Sequence, residues 1–139
     1  MKASTLYRIA SVLLLLFAAG HTVGFLQTDP KWGVDSLIMA MRSIHFDVYG
    51  SNRTYWDFYV GFGFTVSIFL VFSAVLAWQL GSLPAGNLAL MRGTAWALVI
   101  CFGALTILNL RYFFIVPMVF SIVILLCLSA AAWLSTKPT

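Results

Sequence analysis

Six side chains of this 139-residue sequence could do chemistry together: His21, His45, Asp47, Tyr55, Asp57 and Tyr59. A histidine and a carboxylate within reach of one another can share the acid and base roles of a proton transfer. That makes His21 and Asp57 the candidate catalytic pair. His45 and Asp47 form an H-x-D pair, and the two histidines and two aspartates together are nitrogen and oxygen donors of the kind that bind zinc or another divalent ion. Their spacing is not that of a metal motif, because nothing resembles H-E-x-x-H or paired C-x-x-C. No metal site is assigned, and a water-linked polar cluster is expected in its place. With Tyr55 and Tyr59, the same residues would line an outward-facing pocket for a lipophilic small molecule, a lipid or a quinone.

Each of these residues also has a structural reason to exist. His21 lies between Gly20 and Thr22 late in an apolar stretch, where an ionisable group is a functional candidate by default. A hydrogen bond to a neighbouring helix or to interfacial water would account for it as well. Asp57 falls in the first turn of a helix, where a carboxylate meets the positive end of the dipole, and Arg53 one turn earlier can neutralise it. Gly61, Gly63 and Thr65, with Ser67 beyond, keep that helix small at intervals, which in membranes serves close helix packing. The G-F-G of residues 61–63 is too short for a phosphate loop.

The elements that must hold these groups are membrane helices. Hydrophobic residues make up 62% of the chain and charged residues 9%, with a mean hydropathy of +0.99, against about half apolar and a quarter charged in an ordinary globular domain. The net charge of +4 is spread over single Lys and Arg residues with no basic run, so no nucleic-acid partner is expected. The spacing predicts an all-α fold: an integral-membrane four-helix bundle in a single domain, 1–139, with spans at about 6–26, 54–80, 88–110 and 112–134. Met1 to Gly20 also has the layout of a signal peptide, but the apolar character continues through Val23 to Leu26 and favours a retained first span. Cys101 and Cys127 would differ in depth by about 10 Å on antiparallel helices, beyond the reach of a disulfide, so both are expected as free thiols.

The outer connection, 27–53, is patterned. Thr28-Asp29-Pro30 is a helix start. Val34, Leu37, Ile38, Met41, Ile44 and Val48 then recur at helical spacing, predicting a short amphipathic helix that caps the bundle. Tyr49-Gly50-Ser51-Asn52 should break that helix, with Ser51 or Asn52 capping the next. Later in the chain, Gly81 and Pro84 should end the second span, and Asn87 should cap the third. Lys2, Arg8, Arg92 and Lys137 on one side balance Lys31, Arg42, Arg53 and Arg111 on the other. The positive-inside rule is therefore nearly silent. The two cations at the start of the first span, and the four aspartates on the opposite side, put both termini in the cytoplasm.

Gly20-His21-Thr22 with Gly24-Phe25, and Asn52-Arg53-Thr54-Tyr55-Trp56-Asp57-Phe58 with Gly61, resemble stretches of small bacterial four-helix membrane proteins. In size and layout the chain is similar to the DoxX-like proteins. The resemblance implies the four-helix fold and the bacterial inner membrane, and it transfers no catalytic residue. No nucleophile motif, paired-histidine haem arrangement, mid-membrane acid or arginine ladder is present, so no cofactor is expected, nor a proton pump or voltage sensor. The spans lack buried charge while the polarity gathers in one connection. The function expected first is therefore an accessory or structural subunit, with the bilayer and other membrane chains, or copies of itself, as partners. The alternative is a membrane enzyme or binding protein with the His/Asp/Tyr pocket described above.

Overall fold

The computed structural model describes residues 2–135; Met1 and the tail carrying Lys137 lie outside the described residues. It is mostly helical, with helices α1 (Ala3–Leu26), α2 (Asp35–Ser43), α3 (Tyr55–Ser82), α4 (Ala85–Leu90), α5 (Arg92–Tyr112) and α6 (Ile115–Ser135). Four of these, α1, α3, α5 and α6, are long and apolar enough to cross a membrane. The shortest have 21 residues, which at about 1.5 Å per residue spans the roughly 30 Å of hydrocarbon. This is the layout of a multi-pass membrane protein. The chain divides into two compact units: the residues up to Phe17 with those from Leu70 onward, and Ala18–Phe69.

In the first unit, large side chains pack beside small ones. Tyr7, Leu14, Leu70, Phe102, Ile124 and Leu128 are fully buried, and Ala10, Ala74, Ala77 and Ala131 fill the space between them. The small residues allow close approach: a Cβ on Gly81 would stand 2.9 Å from the Ser4 carbonyl oxygen, and the Ser11 hydroxyl donates to the Ala74 carbonyl at 2.8 Å. In hydrocarbon, where all apolar surfaces are alike, contacts of this kind drive helix association. Between α5 and α6 the connection is only Phe113-Phe114, and the Asn109 amide donates across it to the Pro117 carbonyl at 3.3 Å. Pro117 sits in the first turn of α6, where no backbone amide is missed. Cys101 and Cys127 are free thiols.

The third span begins later than its hydropathy suggests. Pro84, extended at ψ 151, starts a separate short helix, so Asn87 lies inside α4 and caps nothing. Met91, at φ −89 and ψ 16, then breaks the chain before α5.

In the second unit, the connection departs from the expected single amphipathic helix. Asp29 caps a 3-10 turn, Pro30–Trp32, by accepting from the Lys31 amide at 2.9 Å, and Gly33 closes it at φ 63. The amphipathic helix α2 follows but stops at Ser43. Strands β1 (His45–Val48) and β2 (Ser51–Thr54) then pair antiparallel, with His45 opposite Thr54 and Val48 opposite Ser51. A small two-stranded hairpin is thus added to a fold that is otherwise helical. Tyr49 and Gly50 explain the difference: both have positive φ, 50 and 80, the two-residue turn whose twist matches paired strands. Asp47 fastens it by accepting from the Gly50 amide at 2.9 Å. Val48, apolar at helical spacing, is a strand residue for that reason.

Candidate functional site

The hairpin delivers the chain into α3 through Thr54. Its amide donates to Asp57 Oδ2 at 2.8 Å, and the Asp57 amide donates back to Thr54 Oγ1 at 3.2 Å. This reciprocal arrangement satisfies two amides at the helix start. Neither Ser51 nor Asn52 caps the helix, because both lie in β2 and the residue that immediately precedes α3 is Thr54. Thr54 is 6% exposed, so the cap sits under cover although Asp57 itself is on the surface.

Aromatic side chains surround this start. The Phe46 ring lies 4.9 Å from Tyr55 and 6.1 Å from Phe58. Trp56 stacks on Tyr59 at 5.3 Å, and the Arg42 guanidinium stands 4.1 Å over the Trp56 ring. An amphipathic belt of this kind suits the level where polar chain meets hydrocarbon.

His21 belongs to a different cluster. Its Nδ1 is 3.2 Å from Ser67 Oγ, Thr22 Oγ1 is 2.7 Å from the same oxygen, and Thr22 donates to the Ala18 carbonyl at 2.8 Å. With Thr22 donating to Ala18 and His21 Nδ1–H to Ser67, the single Ser67 proton is shared between Thr22 Oγ1 and the Gly63 carbonyl 3.3 Å away. Ser67 is 7% exposed. The Phe25 ring lies 5.3 Å from His21 and meets Phe64 edge-on at 5.2 Å, while the Tyr59 hydroxyl donates to the Phe25 carbonyl at 2.9 Å. Gly63 makes this possible: a Cβ there would fall 2.5 Å from the Phe25 ring. Gly61 faces no neighbour within 4 Å, and its carbonyl accepts from Thr65 at 2.9 Å.

The six candidate side chains therefore do not converge on one site, although His45, opposite Thr54 in the hairpin, comes close enough to Asp57 for its charge to act on the carboxylate. His21 is anchored to Ser67, ten residues along α3 from Asp57, a separation of about 15 Å. Asp47 holds the hairpin turn, and His45 Nδ1–H donates to the Ser43 carbonyl at 2.9 Å. Tyr55 and Tyr59 join the aromatic belt. Among the described residues, no three His, Cys, Asp or Glu side chains gather as a metal site would require. Ser67 and His21 are within reach of proton exchange, but a nucleophile also needs its base oriented by a third group. All four carboxylates are elsewhere: Asp29 and Asp57 in caps, Asp35 in the first turn of α2, Asp47 in the turn.

Besides the hairpin and the Thr54 cap, two features went unassigned in the sequence. Thr22 and Phe25 complete the His21 cluster, and their signal was their spacing of one and four residues from it. Gly20 and Gly24, four apart on α1, are both exposed and meet nothing within 4 Å of a Cβ. That is the small-xxx-small pattern of packing helices. No protein-family model, curated protein or solved structure matches the chain.

Proposed function

We propose that this protein is a small integral-membrane subunit that packs its spanning helices against partner chains in a larger assembly. In this reading it sits in the bacterial inner membrane with both termini cytoplasmic and the 27–53 connection outside. The observation that carries the proposal is that the candidate catalytic pair, His21 and Asp57, do not meet and each holds a structural contact of its own. His21 is bound to Ser67, and Asp57 closes the Thr54 cap. An enzyme in which these two share a proton has less support, since they stand too far apart. The bare backbone at Gly20 and Gly24 favours a partner helix, and the resemblance to small DoxX-like proteins agrees in size and layout.

Purification from native membranes in a mild detergent tests this. A chain co-purifying in fixed stoichiometry is expected, and the double variant Gly20→Leu with Gly24→Leu should release it without loss of helicity. A monodisperse monomer before any substitution would overturn the proposal.

A further inference from the structure

A groove of about 290 Å³ runs down the surface of α3 from its first turn, bounded by Arg53, Asp57, Phe58, Gly61, Phe62 and Thr65. Its mouth carries one charge of each sign. The Arg53 guanidinium is exposed and donates to the neighbouring Asn52 carbonyl at 2.8 Å. The Asp57 carboxylate uses Oδ2 for the Thr54 amide, and Oδ1 has no role in the cap. Below the mouth the groove turns apolar. Phe58 and Phe62, one turn apart with ring centroids 6.4 Å from one another, form one side of it, and beside them the backbone of Gly61 lies bare, with no side chain within 4 Å. Thr65 closes the lower end with its hydroxyl turned back to the Gly61 carbonyl.

We propose that this groove is a phospholipid site, selective for a head group that carries both a phosphate and a primary ammonium. Three properties of the groove specify that occupant. The first is charge with hydrogen bonding: a phosphate matches the Arg53 fork, and a primary ammonium, which unlike a quaternary one has N–H groups to donate, matches the Asp57 carboxylate. A purely anionic head would set its charge against the carboxylate. The second is length: from Asp57 to Thr65 is eight residues, about 12 Å of helix, the upper part of one leaflet. The third is level: the groove starts where the polar hairpin ends and the apolar helix begins, beside Tyr55, Trp56 and Tyr59, so a lipid already in the bilayer brings its head to the charged end. The site does not depend on the subunit reading above.

Native mass spectrometry of the purified full chain, titrated with phosphatidylethanolamine, phosphatidylglycerol or phosphatidylcholine, tests the proposal. Phosphatidylethanolamine should be retained at about tenfold lower concentration than either of the others. Arg53→Gln and Asp57→Asn should each weaken its retention about tenfold, and Gly61→Leu should abolish it by filling the space beside the bare backbone. These variants keep the fold: Asn retains a capping oxygen, Arg53 is on the surface, and Gly61 has free space beside it. Circular dichroism and size exclusion verify this for each. Equal or tighter retention of phosphatidylglycerol or phosphatidylcholine overturns the proposal, as does retention of phosphatidylethanolamine unaltered by Gly61→Leu.

Discussion

In the unit built from the start of α1, the end of α3 and α4–α6, fully buried leucines, alanines and Phe102 line each helix, whereas from Ala18 to Phe69 only Ala18, Thr54 and Ser67 are buried. Yet α1 and α3 supply a segment to both units. Their hydropathy is high throughout, so apolar character does not separate the two. Side-chain size and polarity do. The later half of α3 offers Ser73, Ala74, Ala77 and Gly81 to a close contact. The earlier half offers Tyr55, Trp56, Phe58, Tyr59 and Phe62, rings that all stay partly or largely exposed. One unit is held by dense packing, the other by directional hydrogen bonds and ring contacts around a few small residues.

Substitutions can break that contrast. The largest effect is expected from Phe102→Ala in the packed unit, which should cost about 3–5 kcal/mol, the usual range for emptying a buried aromatic site. Unfolding by SDS in mixed micelles, followed by circular dichroism, measures it. If the loss is no greater than that of a cap variant, dense packing is not what distinguishes this unit. Next is Gly63→Ala, which drives a methyl into the Phe25 ring and should cost about 1–3 kcal/mol as overpacking does. Combining it with Phe25→Ala should recover part of the loss, and a strictly additive double mutant would mean the ring does not press on Gly63. Thr54→Ala removes one arm of the cap and should cost about 1 kcal/mol in the same assay. Gly61→Ala should be the mildest, neutral or stabilising by up to about 1 kcal/mol, since alanine favours helix and nothing stands in its way. A clear loss at Gly61 would place a neighbour where the structure has open space.

How much of this was legible in the sequence follows from what each signal measures. Hydropathy reports the solvent of a segment, so the spans containing His21, Asp57 and Cys127 could be read within a few residues. It does not report chain reversal, and the hairpin at His45–Thr54 hid behind apolar positions that fit a helix as well as a strand. The deciding residues were Tyr49 and Gly50, and a tyrosine is not a residue that announces positive φ. Asp57 in the first turn of α3 was legible because a carboxylate at a helix start has a local cause. Its partner Thr54 was missed as the cap, since Ser51 and Asn52 were equally good acceptors on paper. The pairing of His21 with Ser67 spans 46 residues and depends on the depth at which two helices meet, which no local pattern encodes.

The hairpin tip has a practical consequence. Tyr49 is fully exposed, holds a left-handed conformation that asparagine or glycine would adopt more easily, and is joined to β1 and β2 only through its own backbone. A short epitope grafted between Tyr49 and Gly50 would lengthen a loop without touching the Thr54 cap or the Phe25 contact. Antibody access to that graft in spheroplasts, whose inner membrane is exposed but sealed, compared with lysed ones, reads directly which face of the membrane the hairpin occupies.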